Sequence, residues 1–208
     1  MLQRGKKRHR SGFSLKGKVI FFATNNFHKF DEARSVLTNR GMAVGMLRVK
    51  ALEIQSDSLN EIAQASVIDA YNHSHLPIIV EDAGLFIESL KGFPGPYAAY
   101  VYKTIGNLGL LKLMEGLENR KAAFQSTIAY YDGQSEPICF TGEVSGRMTN
   151  EEKRGNDKAG FGFDPVFRPS GSQKTFAEMS IEEKNSFSHR AKAVSNFAEW
   201  YEKFSKQE

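Results

Sequence analysis

The chain has a single cysteine, Cys139, in 208 residues. One thiol cannot close an intramolecular disulfide, so a disulfide scaffold and a cysteine-rich metal centre are both excluded, and a reducing, cytoplasmic setting is expected. Long apolar runs are missing as well. The most apolar stretches, residues 19–23 and 77–80, fall far short of the roughly 20 residues of a membrane helix, which predicts a soluble protein with no membrane partner. Acids are absent before Val19, whereas Arg4, Lys6, Lys7, Arg8, Arg10, Lys16 and Lys18 all lie there. Taking those seven from the 28 bases leaves 21 against 24 acids, so the net charge of +4 is carried by the N-terminal segment and the body is mildly acidic. That balance argues against a nucleic-acid surface spread over the fold. Residues 1–17 read as a solvated basic arm, with a transit-like or nucleic-acid-touching segment as the alternative.

Internal repeats and low-complexity linkers are also absent, and residues 18–208 are expected to form one domain large enough to bury a substantial core. The pattern that is present alternates. Residues 18–23 read as a buried strand, and 26–40 as a helix carrying Phe27, Phe30, Ala33, Val36 and Leu37 near the helical period. A weaker strand follows over 43–50, then a helix over 58–75 opened by a Ser58/Glu61 capping-box pattern and closed before Pro77. Short strands over 78–81 and 85–88 are expected around a turn at Ala83-Gly84, followed by a Gly/Pro loop at 91–96. Residues 97–117 look helical with a break near Gly106 and Gly109. Strands over 122–131 and 138–148 form a hairpin through 132–137, and after a Gly-rich aromatic stretch at 155–167 the chain ends in a helix over 188–204. This order predicts an α/β protein with a mixed sheet.

Four segments carry candidate chemistry. Thr24-Asn25-Asn26-Phe27-His28-Lys29 sits where the first strand meets the first helix, a place where backbone N–H groups, the helix dipole and Lys29 can hold a phosphate. It has no glycine and no Gly-Lys-Ser/Thr ending, which excludes a Walker A loop; the competing explanation is that Asn25 or Asn26 merely caps the helix. Glu81-Asp82 places two acids at the end of an apolar strand, where burial is costly without a cation. Mg2+ suits them, because it takes one or two carboxylates and completes its shell with water and phosphates, and Glu53 could add a third carboxylate. Phe161-Gly162-Phe163-Asp164 alternates aromatics with residues that admit a ligand, as a base-stacking site would, although a core-and-turn role explains the same pattern. Lys184 and Ser188-His189-Arg190 gather donors suited to an oxo-substituted base and to phosphate oxygens.

Taken in order, Thr24-x-Asn26-x-x-Lys29, Leu52-Glu53-Ile54-Gln55, Glu81-Asp82-x-Gly84-Leu85, Gly92-Phe93-Pro94-Gly95-Pro96-Tyr97, Gly162-Phe163-Asp164-Pro165-Val166-Phe167 and Ser188-His189-Arg190 resemble the inosine triphosphate pyrophosphatase family over nearly all of residues 18–204. The resemblance implies an elongated two-lobed fold around a twisted mixed sheet, a homodimer, and release of pyrophosphate from inosine, deoxyinosine or xanthosine triphosphate. Mg2+, with Mn2+ as a substitute, would be held by Glu53 and Asp82 with help from Glu81, and Asp82 would accept the proton of the attacking water. Residues 24–29 and Ala83 would contact phosphates, with Lys29 assisting catalysis. Phe161, Gly162, Phe163, Asp164, Lys184, His189 and Arg190 would form the purine pocket, with no nucleic-acid partner required. Two positions depart from the pattern: Ala83 replaces a frequent Ser or Thr, and Ser66 stands where the family often places a phosphate-facing lysine, with Lys50 as a possible substitute. A pyrophosphatase for modified nucleotides of the Maf-like type and a weakly catalytic nucleotide-binding module are the alternatives; the purine-pocket blocks oppose the first, and a base at Asp82 opposes the second.

Overall fold

The computed structural model describes residues 19–49, 51–155 and 160–205. The basic segment 1–17, Lys18 at the start of the first expected strand, Lys50 and part of the Gly-rich stretch lie outside the described residues. The chain forms β1 (Val19–Ala23), α1 (Phe27–Asn39), β2 (Ala43–Leu47), α2 (Leu59–Ser74) and β3 (Ile78–Ile87). It continues through β4 (Pro94–Gly95), α3 (Ala98–Thr104), α4 (Gly106–Leu113), the long strands β5 (Lys121–Tyr131) and β6 (Ile138–Met148), β7 (Phe167–Pro169), α5 (Ile181–Asn185) and α6 (His189–Phe204). The strands make one seven-stranded mixed sheet in the order β2-β1-β3-β5-β6-β7, with β4 paired to β3. β1 is parallel to β2 and β3, and the remaining pairs are antiparallel. This is the mixed α/β architecture that strand-helix alternation followed by a hairpin predicts.

Side chains alternate across a strand, so each face of β3 serves a different core. Ile79 packs with Phe22, Phe30, Leu37, Val194 and Phe197 under α1 and α6, whereas Ile78 and Val80 pack with Ala63, Val67 and Ala70 under α2. Farther along, Leu85 and Ile87 join Leu110, Met114, Phe124, Phe167 and Phe176 in the core beneath α3 and α4. The long strands thus run through two packed regions, and the acidic dipeptide of β3 lies between them.

The expected turn at Ala83-Gly84 does not form. β3 is continuous for 10 residues because Ala83 and Gly84 pair with Ser126 and Gln125 of β5. Gly84 has a different use: a Cβ there would lie 2.7 Å from the Gly95 carbonyl oxygen, so the glycine lets β4 approach. α5 was not expected either; its five residues offer too short a period to be recognised.

Gly142 of β6 sits under the first turn of α6, where a Cβ would lie 2.2 Å from the His189 carbonyl oxygen and 2.5 Å from the Ala193 nitrogen. Both neighbours are backbone, so Gly142→Ala must push α6 off the sheet. Guanidinium unfolding should show a loss of about 3 kcal/mol, the upper end of ordinary overpacking; a change below about 0.5 kcal/mol would contradict this close packing.

Candidate active site

The carboxyl end of β1 and the middle of β3 border a cavity of about 790 Å3, lined by residues 23–29, Glu53, Ser66, Glu81, Asp82 and Lys103 among others. α1 begins at its rim. Asn26 caps that helix, its side-chain oxygen accepting from the His28 and Lys29 N–H groups at 3.0 and 3.2 Å, while Thr24 Oγ1 accepts from the Asn26 N–H at 3.1 Å. The capping explanation therefore holds for Asn26, and two donors of the helix start are spent internally. Asn25 donates weakly to the Val49 carbonyl at 3.4 Å. Phe27 is exposed beneath the Arg48 guanidinium, 4.7 Å from its ring centre.

Glu53 lies on a loop that α2 holds at the preceding residue. Ser66 Oγ donates to the Leu52 carbonyl at 2.8 Å, and the Leu52 N–H donates to Asp69 at 2.8 Å. Position 66 thus anchors the loop that presents a carboxylate, and Lys103 of α3 lines the same cavity. Lys103 forms no ion pair among the described residues. No sequence pattern marks it, because only the fold brings α3 opposite β3.

Glu81 and Asp82 part company through strand alternation. Glu81 points toward α6 and is fully enclosed: Ser126 Oγ donates to it at 2.7 Å, Arg190 Nε at 3.0 Å, and Lys29 Nζ lies 2.8 Å away. Burial pushes its carboxyl up, but Arg190 and Lys29 overcome this and hold it far below the usual carboxylate range. Asp82 points to the α2 side of the sheet. Burial raises its pKa to about 6, with Lys29 and a hydrogen bond from the Ala83 backbone opposing and the charges of Glu81 and Glu53 adding to the rise. Its Oδ2 is buried and has no hydrogen-bond partner among the described residues. Ala83 follows on the Glu81 side of the strand and lies outside the residues lining the cavity.

Behind Glu81 runs a buried ionic network. Arg190 also pairs with Glu32 through Nη1, and Lys184 bridges Glu32 and Asp164 at 2.7 Å each. Asp164 also accepts from the Phe161 N–H at 2.8 Å. Three acids, Glu32, Glu81 and Asp164, meet three bases, Lys29, Lys184 and Arg190, so the cluster balances its charge as buried ions must. Burial pushes Asp164 up and Lys184 only partly offsets it; Glu32 is held below its usual value because Arg190 and Lys184 outweigh its burial. Burial and the neighbouring Arg190 depress His189 strongly, leaving a neutral ring stacked on Phe124 at 4.8 Å. Sequence reading missed Glu32, although an acid beside Ala33 in the apolar stripe of α1 was a signal that a buried cation had to meet it.

Phe161 stands between the two groups. His28 stacks on it, with ring centres 5.1 Å apart and planes within 11°, and Lys184 Nζ and the Arg190 guanidinium lie 4.9 and 5.4 Å from its centre. At that spacing no third ring fits between His28 and Phe161. Gly162 adopts φ +59° in the turn that follows, and Phe163 is buried in the core against Tyr102. Phe163 therefore packs, as the core explanation of this segment anticipated.

The orphaned Asp82 oxygen beside Glu53 suits a hard divalent cation. Its donors are hard carboxylate oxygens, the kind Mg2+ takes, and no group of three or more His, Cys, Asp or Glu gathers as a metal site among the described residues. Carboxylates and cations beside a stacked aromatic pair, where the carboxyl end of β1 meets the middle of β3, suit a nucleotide-phosphate cleft of an α/β protein. The chain belongs to the Ham1 family, whose model matches residues 20–200. Among its relatives, the dITP/XTP pyrophosphatase of Methanopyrus kandleri is 51% identical over 88% of this chain and 95% of its own length, and that of Hyperthermus butylicus is 48% identical over 91% and 98%. The Ham1 protein of Staphylococcus aureus superposes with a TM-score of 0.75 at 27% identity, covering 89% of this chain and 99% of that one. A Coxiella burnetii HAM1 protein gives 0.76 at 26% identity over 89% and 98%.

The raised Asp82 pKa makes folding favour its protonated form. That contribution is complete below about pH 4 and is lost as the pH rises through about 6. With chelator present, Asp82→Asn should therefore exceed the wild type in stability at pH 7.5 by roughly 3 kcal/mol, the gap closing by pH 4. A pH-independent difference in the two melting curves would refute the burial that raises the Asp82 pKa.

Proposed function

We propose that the chain hydrolyses deaminated purine nucleoside triphosphates, dITP, ITP and XTP, to the monophosphate and pyrophosphate. The observation that carries this reading is the buried Asp82 Oδ2, without a hydrogen-bond partner among the described residues, in the cavity that Glu53, Lys29 and Lys103 also line. The names of the curated relatives support the substrate class. Water attacks the α-phosphorus, its proton passes to Asp82, and the bond to the β-phosphate oxygen breaks with pyrophosphate leaving. Glu53 and Asp82 would hold Mg2+ or Mn2+, which when bound would neutralise charge on the phosphates and make the attacking water more acidic. Glu81 stays outside the metal shell in this account, because its oxygens are engaged by Arg190, Ser126 and Lys29. Lys29 and Lys103 supply fixed positive charge to the triphosphate, Lys103 serving where Ser66 cannot.

The purine stacks on Phe161 by displacing His28. Arg190 Nε and Nη1 are committed to Glu81 and Glu32, which leaves Nη2 to donate to the oxygen at purine position six. Adenine places an amino donor there, and the resulting unpaired donors oppose its binding. The lone, half-buried Cys139 suits a reducing cytoplasm. No helix among the described residues is long and apolar enough to cross a membrane.

Pyrophosphate release with Mg2+ should be far faster from ITP and XTP than from ATP. Asp82→Asn should abolish turnover while substrate still binds, and Lys103→Ala should raise KM about tenfold with little change in kcat, a loss of one charge-assisted contact. Equal rates on ITP and ATP would remove the discrimination by Arg190; an active Asp82→Asn enzyme would remove the proton acceptor.

A homodimer is proposed through α3 and α4, whose outer surface exposes Tyr100 at 70% and Leu108 at 75%, with Tyr97, Ile105 and Leu113 beside them. Light scattering should give twice the chain mass for the wild type and the chain mass for Leu108→Glu. A monomeric wild type would exclude this interface.

A further inference from the structure

On the outer face of β5, β6 and β7, bordering a cavity that shares no lining residue with the cleft, three bases stand side by side. Lys121 is the register partner of Arg147, and Arg147 is the partner of Arg168. Register partners project to the same side of a sheet, and like charges placed directly opposite one another destabilise it. Their strand neighbours Ala122, Met148 and Phe167 are buried in the core, which fixes the three bases on the opposite face. The row borders a cavity of about 510 Å3 closed by the turn at residues 169–173. Arg120 lies in the same wall, but its guanidinium is spent on the carbonyls of Met114, Met148 and Thr149. Its charge still faces Arg147, an interaction that lowers the Arg120 pKa further after burial.

Neutralisation is slight. Lys121 reaches Glu88 only at 3.9 Å with both side chains mostly exposed, and Arg168 makes one long contact of 3.5 Å to Gln173. Arg147 has no ion pair among the described residues. Glu118 is the one acid lining the cavity, against four bases. A fold with no use for this arrangement would separate the charges or intersperse acids, as β6 does two same-face pairs earlier, where Glu143 accepts from Gln125 at 3.0 Å.

We propose that this row is a second anion site, built for a di- or triphosphate group and independent of the catalytic cleft. Neighbouring strands lie about 4.8 Å apart, so three bases across three strands span roughly 10 Å, too long for one phosphate and suited to a short phosphate chain. Guanidinium groups favour such oxygens bidentately. A second hollow of about 500 Å3 shares Lys121, Gly146 and Ser170 with the first and is floored by Phe86 and Ala123. That apolar shelf would take the nucleoside of a nucleotide, so inorganic and nucleoside-borne phosphate chains are the two sources of the ligand.

The test is calorimetric titration of the full chain with inorganic triphosphate in EDTA, where the expected result is two sites per chain. The paired substitution Arg147→Ser with Arg168→Ser should remove one site, or weaken it at least tenfold, and leave ITP turnover at low substrate within twofold of wild type. Lys29→Ala should weaken the other site only. A single site lost with Lys29→Ala, or two sites unchanged in the paired variant, overturns the proposal and leaves the catalytic reading standing. Tighter binding of ITP than of triphosphate at the site lost in the paired variant identifies a nucleotide as the source; equal binding identifies the inorganic chain. A short single-stranded DNA that binds there tenfold more tightly than triphosphate overturns the small-ligand assignment in favour of nucleic acid.

Discussion

The structure turns on one buried carboxylate. Glu81 lies on a central strand with a guanidinium on one side and an ammonium on the other, and its neighbour Asp82 faces the opposite side of the sheet. A charge so buried is tolerated only because its partners are fixed in place, and removing one of them strands the rest at a cost of about 3–5 kcal/mol. That constraint fastens the start of α6 to β3, and through Glu32 and Lys184 it fastens α1 and α5 as well. Arg190 cannot leave the pocket wall without exposing two acids to an apolar interior.

From this the division of labour follows. On one side of β3 every charge is spent on another charge, which makes a rigid wall suited to recognising a planar base. On the other side Asp82 keeps one oxygen without a hydrogen-bond partner among the described residues, at a pKa of about 6, in a cavity that Glu53, Lys29 and Lys103 also line. Rigidity and reactivity are thus separated by the thickness of one strand, and Lys29 joins them by touching Glu81 while lining the cleft that Asp82 faces. The Phe161 ring closes the join, held by Asp164 at its backbone and shielded by His28.

Much of this was legible in the sequence. The helical period of residues 26–40, the long hairpin strands and the closing helix are strong local patterns, and each forms within a few residues of its expected bounds. The segment at residues 24–29, Glu53 and Asp82 were marked by their chemistry, and they line one cavity. Less visible was the difference between Glu81 and Asp82, since two adjacent acids look alike until the pleat of a strand separates them. The supposed turn at Ala83-Gly84 hid this: a turn would have left both acids at a strand end, whereas pairing with β5 carries the strand straight through. Glu32 and Lys103 act only through partners more than 50 residues away or across the cleft, and no local period reports such contacts. Ser66 was recognised as lacking a charge, but its hydroxyl contact to Leu52 depends on how a loop folds back over α2.

The like-charged row on the outer face belongs to the same logic in reverse: charges that the fold leaves uncompensated are the ones available to a ligand, whether at Asp82 or at Arg147. The most direct test of the central claim, that adjacent acids of one strand have separate tasks, is a Mn2+ titration followed by electron paramagnetic resonance. Asp82→Asn should weaken Mn2+ binding by about tenfold or more, the scale expected when a metal site loses a ligand or its support, while folded Glu81→Gln binds Mn2+ within about threefold of wild type. Equal weakening in the two variants would show that both carboxylates serve the metal and would contradict the account.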